Sequence, residues 1–209
     1  FIGVDLGTSL HRKSTGLAYL VERNGRPLLK SPPLHIISDD ALIRSSIIQM
    51  SENFRSRIVA IDAPLSRPEH GTMRECEKRL GKHGIPCFPS GAKWVNKWVE
   101  KAIGLKKWAE NEMGAKVIEV YPYAARVTLG IDVKKKTKKG RHVIQKRLLK
   151  LIEGMIEDKL LSHDELDAIL SAYTAYLEGN GNAIKIDGVD GEIYLPSKMR
   201  DHKISEYQN

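Results

Sequence analysis

The stretch Arg57-Ile58-Val59-Ala60-Ile61-Asp62-Ala63-Pro64 is short, apolar through its centre and closed by Ala-Pro. It lacks the alternation of a half-buried strand, so both its faces must be covered, as in a strand inside a parallel sheet. Parallel strands need helical crossovers, and helical spacing occurs on both sides of it. Upstream, Leu42, Ile43, Ile47, Ile48 and Met50 follow Ser38-Asp39-Asp40, a sequence suited to capping a helix. Downstream, Val95, Trp98, Val99, Ile103 and Trp108 mark a helix over residues 94–113, and Lys116-Val117-Ile118-Glu119-Val120-Tyr121 reads as a further strand ended by Pro122. Nearer the start, residues 2–6, 15–22 and 27–37 read as three strands. Arg23-Asn24-Gly25-Arg26 is a hairpin turn between the last two, because Asn-Gly tolerates positive φ.

The remaining segments extend this pattern. A basic run over residues 134–141 leads into an amphipathic helix through Ile144, Leu148, Leu151, Ile152 and Met155. The last helix starts at Ser162, where Ser162 and Glu165 have capping-box spacing, and its apolar stripe is Leu166, Ile169, Leu170, Tyr173 and Leu177. Gly179-Asn180-Gly181 stops it, and residues 183–196 read as a hairpin turning at Asp187-Gly188 or Asp190-Gly191. Residues 65–93 are Pro/Gly-punctuated, with weak helical periodicity over 73–80; this is longer than a usual connection and is expected to form an insertion over one rim of the sheet. No repeat or low-complexity linker interrupts the chain, so one domain over residues 1–209 is expected. The order β-β-β-α-β-α-β-α, a meander joined to parallel strands, is that of a ribonuclease H-like α/β fold with a mixed five-stranded sheet and flanking helices.

Five blocks carry a family resemblance: Ile2-Gly3-Val4-Asp5-Leu6-Gly7, Ile61-Asp62-Ala63-Pro64-Leu65, Arg74-Glu75-Cys76-Glu77, Ile118-Glu119-Val120-Tyr121-Pro122, and Leu166-Asp167-Ala168-Ile169-Leu170-Ser171-Ala172-Tyr173. In this order and over nearly the whole chain they resemble the family called domain of unknown function 429. The resemblance implies a ribonuclease H-like fold and a nuclease activity.

Composition narrows the partners. The 209 residues carry a net charge of +8 and a pI near 9.4, which favours polyanions such as DNA or RNA. No run of about 20 apolar residues could span a bilayer. With only Cys76 and Cys87 and a strand-like opening segment, a soluble cytoplasmic protein with free thiols is expected. Oligomeric state is not legible.

The acidic residues point to chemistry independently of any family. Ligands of open α/β sheets gather at the carboxyl ends of strands, and three predicted strands end on an acid: Asp5, Asp62 and Glu119. Asp167 lies about 100° round its helix from Leu166, at the border of the apolar stripe and so at the sheet edge, with Ser171 and Thr174 on the same flank. Carboxylates converging on one rim repel each other, and a hard cation, Mg²⁺ or Mn²⁺, relieves that repulsion with oxygen ligands. Two such ions could activate a water and stabilise the leaving oxygen of a phosphodiester displacement. Asp5, Asp62, Glu119 and Asp167 are therefore the candidate catalytic and metal-binding residues, with Asp5 expected to bridge the ions because the first strand lies centrally in the resembled fold.

Each acid also has a structural reading. Asp5 could accept N–H groups of a Gly7-Thr8-Ser9 turn, Asp62 could cap a turn, Glu119 could pair with Arg74, Arg126 or a lysine, and Asp167 could be a helix-surface acid favoured by the helix dipole. Arg74, Lys78, Lys134, Lys135 and Arg141 are candidate phosphate contacts, set against an ordinary surface helix for Arg74 and Lys78 and a solvated loop for the basic run. Cys76, His83, Cys87 and His70 lack paired metal-ligand spacing, and the thiols are expected to pack; so are Trp94, Trp98 and Trp108. Two rivals remain. Val4-Asp5-Leu6-Gly7-Thr8-Ser9 resembles the first phosphate loop of actin-like ATPases and sugar kinases, which need a second such domain, and a non-catalytic nucleic-acid-binding protein would keep the charge without the chemistry.

Overall fold

The computed structural model describes residues 1–7, 14–37, 39–51 and 58–197. Strand β1 (Ile2–Asp5) runs antiparallel to β2 (Ser14–Arg23) and parallel to β5 (Ile58–Asp62), which in turn is parallel to β6 (Lys116–Glu119). The outer edge of β2 is shared: β4 (Leu34–Ile37) pairs with Ser14 to Leu17 and β3 (Arg26–Leu29) with Leu20 to Arg23. The order β3-β2-β1-β5-β6 is thus five strands wide, with β4 as a sixth strand beside β3. The sequence reading of 27–37 as one strand gives way to two, because Ser31-Pro32-Pro33 offers no N–H at either proline to continue the ladder. Asn24 and Gly25 adopt the positive φ expected of the turn, 53° and 72°. Arg57, Ser38, Thr8 and Ser9 lie outside the described residues.

Helices α1 (Asp40–Ser51) and α3 (Asn96–Met113), the latter entered through a short 3-10 turn (Lys93–Val95), bury one core against β1, β2 and β5, built from Ile2, Val4, Leu17, Ile43, Ile47, Val59, Ile61, Ala102 and Leu105. On the opposite face α6 (His163–Gly179) lies across β1, β2 and β5 and is buried almost throughout from Glu165 to Tyr176. Its N-terminus carries the expected capping box: Ser162 Oγ accepts from Glu165 N, and the Glu165 carboxylate accepts from Ser162 N. Helix α5 (Lys138–Leu148) packs Ile144 and Leu148 into the core beneath α6. It ends before Leu151, Ile152 and Met155, which sequence periodicity assigned to the same helix. These residues still enter that core, because Gln145 draws the returning chain in: its amide donates to Ile156 O and Lys159 O and accepts from Leu161 N. Pro122, expected only to end a strand, opens α4 (Pro122–Thr128), where a proline at the first helical position loses no hydrogen bond. The hairpin of β7 (Ala183–Gly188) and β8 (Gly191–Pro196) packs with α2 (Glu75–Lys82) around Cys76, Leu80, Ile186, Ile193 and Leu195.

Two glycines set how close α6 comes to the sheet. A Cβ on Gly3 would collide with the backbone of Ala168 and Ala172, and one on Gly16 with the carbonyl of Asp164. Backbone-on-backbone contact leaves no flexible side chain to move aside. Gly3→Ala is therefore expected to destabilise the fold by about 3 kcal/mol, the upper end for overpacking, and to lower the thermal midpoint by roughly 6–12 °C for a chain of this size. A midpoint within 2 °C of wild type in a calorimetric scan would contradict the close approach.

Candidate active site

The carboxyl ends of β1, β5 and β6 open into a cleft of about 400 Å³, lined by Asp5, Asp62, Glu119, Lys135, Lys136 and Asp164 among others. Asp5 and Asp62 are register partners on adjacent parallel strands, so alternation turns both side chains to the same face. Their carboxyl groups come within hydrogen-bonding reach of each other. Asp167, one turn into α6, is fully buried beside them. One of its oxygens, Oδ2, accepts from Lys135 Nζ, while Oδ1 has no partner among the described residues. Asp164, three residues earlier, receives Ser14 Oγ at 2.9 Å and lies 2.5 Å from His163 Nδ1.

Burial and mutual repulsion act together here. Desolvation first, then the charges of Asp62 and Asp167, hold the Asp5 carboxyl well above the usual carboxylate range. Burial, with Asp167 beside it, pushes Asp62 up to about 7, even though Lys135 and the hydrogen bond with Asp5 act in the other direction. A carboxyl whose pKa is raised on folding keeps in the folded state a proton that the unfolded chain has already released above pH ~4. That stabilisation is present at low pH and lost as pH rises through about 7, amounting to a few kcal/mol for a shift of this size. The metal-free protein is thus expected to melt at a higher temperature at pH 6 than at pH 8, and Asp62→Asn to flatten that difference. An equally steep dependence in Asp62→Asn would place its origin elsewhere.

Glu119 belongs to a different construction. Arg74, 1% exposed, binds both of its oxygens, at 2.7 and 2.5 Å, and Leu65 N donates to it at 2.8 Å. The Arg74 Nε also meets Glu77 at 3.0 Å. Of the alternatives open in the sequence, the pair with Arg74 is what the geometry displays, and it ties β6 to the start of the 65–93 segment. An arginine so engaged with two carboxylates has little left to offer a phosphate, although it lines the cleft. Lys78 is exposed on α2 and does not line the cleft. Lys134 is exposed, and Arg141 donates to Lys136 O at 3.3 Å. Ser171 and Thr174 are buried and donate to the backbone carbonyls of Asp167 and Leu170 within α6.

The family model for proteins of unknown function, DUF429, matches residues 3–190. The chain belongs to the DUF429 family. No match was found among curated proteins. Among solved structures, this DUF429 chain is similar to Thermus thermophilus RuvC in complex with a Holliday junction substrate, with a TM-score of 0.50 and 14% identity over 87% of this chain and 97% of that one. A second Thermus thermophilus RuvC structure aligns over the same shares with a TM-score of 0.48 and 14% identity. The fold is therefore the ribonuclease H-like mixed α/β fold that the order of elements indicated.

Two features of the site were not legible in the sequence. Asp164 carries no candidate role there, yet it lines the cleft and stands three residues before Asp167 on the same flank of α6. Trp94, expected to pack, is 68% exposed and meets Phe88, 61% exposed, edge to face at 5.5 Å, with Phe88 at the cleft rim. Trp98 and Trp108 do pack against the core, and Trp98 donates to Leu6 O. Cys76 packs beside α4 and the hairpin, where burial pushes its thiol up to about 12. Among the described residues, no three His, Cys, Asp or Glu side chains are already gathered as a metal cage. The donor set nevertheless suits a hard divalent cation, since it is all oxygen, desolvated, and includes the orphaned Asp167 Oδ1. Among the described residues no helix is long and apolar enough to cross a membrane.

Proposed function

We propose that this protein is a divalent-metal-dependent nuclease acting on phosphodiester bonds of DNA or RNA, with Asp5, Asp62 and Asp167 holding Mg²⁺ or Mn²⁺. The observation that carries this reading is that Asp5 and Asp62, from β1 and β5, line one cleft with Asp167 of α6 buried beside them, the first two with raised pKa values and the third with an unpartnered buried oxygen among the described residues. The metal would supply Lewis-acid stabilisation of phosphoryl oxygen and a more acidic attacking water. The protein's own residues position and hold. Asp5 and Asp62 present paired carboxylates on a rigid strand register, while the Glu119–Arg74 pair acts as a positioning element that fixes the cleft wall at Leu65.

A polyanion has a track to follow from that cleft. Lys135 and Lys136 line it and lead directly into α5, which with the turn after it exposes Lys138, Lys139, His142, Lys146, Arg147 and Lys150 along an open groove. None of these five Lys and Arg residues has a carboxylate partner among the described residues, so the charge of α5 faces solvent uncompensated. The likeness to RuvC, whose structure holds a Holliday junction substrate, extends to the fold; the case for nucleic acid here rests on this groove and on the acids.

The test is cleavage of a panel of single-stranded, duplex and branched DNA and RNA by the purified chain with Mn²⁺ or Mg²⁺. Cleavage abolished by chelator and restored by metal is expected, with binding that weakens steeply as salt rises. Salt-sensitive binding without metal-dependent turnover would instead favour a non-catalytic binding protein, and cleavage indifferent to chelator would end the metal reading.

A further inference from the structure

Lys135 is the feature of the cleft that a nuclease built on two metal ions leaves unexplained. Its side chain is about one third exposed, and its ammonium group makes a direct ion pair with Asp167, whose side chain has no exposed surface. Desolvation works against a charge on Lys135. Asp167 first, then Asp62 and Asp5, outweigh it and hold its pKa above the usual lysine value. The ammonium is thus a resident cation in direct contact with Asp167, on the same cleft that Asp5 and Asp62 line. Its partner oxygen is Oδ2 of Asp167, and only Oδ1 remains without a partner among the described residues.

Charge counting decides what else the site can take. Asp5, Asp62 and Asp167 bring three negative charges when ionised. Lys135 and one divalent ion match them, whereas Lys135 and two divalent ions would leave two surplus positive charges in a partly desolvated cleft. Uncompensated charge of that kind is expensive at the low effective dielectric of such a site. Asp164 also borders the cleft, but it is set apart from the three by Ser14 Oγ, which donates to its Oδ2, and by His163 Nδ1, 2.5 Å from its Oδ1.

We propose that Lys135 takes the place of a second divalent cation, so that the site binds one metal ion per chain, on Asp5, Asp62 and Oδ1 of Asp167, with the lysine ammonium on Oδ2. This deepens the nuclease reading above and rests on it only in requiring that the acids bind a divalent ion. The lysine then stands beside the ion as a second positive group able to face a substrate phosphate. This replaces the two-ion arrangement that the acid count in the sequence suggests.

The experiment counts ions and does not depend on turnover. Chelator-stripped wild-type protein, Lys135→Arg and Lys135→Met are titrated with Mn²⁺ by calorimetry, and frozen samples are examined by electron paramagnetic resonance, with circular dichroism to check folding. Wild type and Lys135→Arg are expected to take up one Mn²⁺ with an uncoupled six-line signal. Lys135→Met keeps the aliphatic stem without the charge and is expected to take up two, with the broadened signal of a spin-coupled pair. Two ions in wild type, or one in folded Lys135→Met, would overturn the assignment of Lys135 while leaving the nuclease reading intact. No Mn²⁺ uptake by any of the three would overturn both. If Lys135→Met does not fold, Lys135→Gln is titrated in its place, with two ions expected and a count of one overturning the assignment.

Discussion

Asp5→Asn is expected to lower metal-dependent cleavage by more than about 100-fold, the upper end of what losing a group that merely supports a metal ligand does, while leaving the fold as stable as wild type or more so. The two halves of this expectation have one cause. Asp5 is a desolvated carboxyl facing Asp62 and Asp167, so its charge is unfavourable to the folded chain and useful only when a cation is present. Asparagine keeps the shape and one acceptor oxygen but removes that charge. Rates and melting temperatures should be measured on the same preparations at pH 8, where the repulsion is greatest. Unchanged cleavage in Asp5→Asn would assign the activity to a contaminant or another site. A large loss of stability would make Asp5 a structural residue after all.

Arg74→Ala should produce the opposite profile, a loss of about 3–5 kcal/mol in stability because two buried carboxylates, Glu77 and Glu119, lose their shared partner. For a chain of this length that corresponds to a fall of roughly 6–20 °C in thermal midpoint. The control is a double replacement, Arg74→Met with Glu119→Leu, which removes charge from both sides. If the loss comes from unpaired buried charge, the double variant recovers part of it. Should Arg74→Ala melt within about 2 °C of wild type, the ion pair does not organise this wall of the cleft. Activity falls in Arg74→Ala only as far as the wall moves, so the two variants separate the groups that hold a metal from the groups that hold the site.

The sequence by itself determined the architecture and most of the acids, because those features are written in local spacing. The apolar run Ile58 to Ile61 requires cover on both faces, Asn24-Gly25 requires positive φ, and Ser162 with Glu165 caps a helix wherever that helix lies. Asp5, Asp62 and Glu119 end strands, and strand direction alone sends them to one rim. Tertiary structure decided which of these acids face one another and which are neutralised. Glu119 and Asp62 look alike in sequence, yet Arg74, 45 positions away, takes up the first and leaves the second, since a guanidinium reaches a carboxylate through space. Lys135 is one lysine among six basic residues in a run, distinguished only when the chain places it over Asp167, 32 positions on. The approach of α6 to the sheet likewise depends on Gly3 and Gly16 meeting the backbone of a helix some 150 residues away, and that contact sets Asp164 and Asp167 against the cleft. Local patterns carry propensity and direction; pairing of buried charges depends on distances that only the folded chain defines.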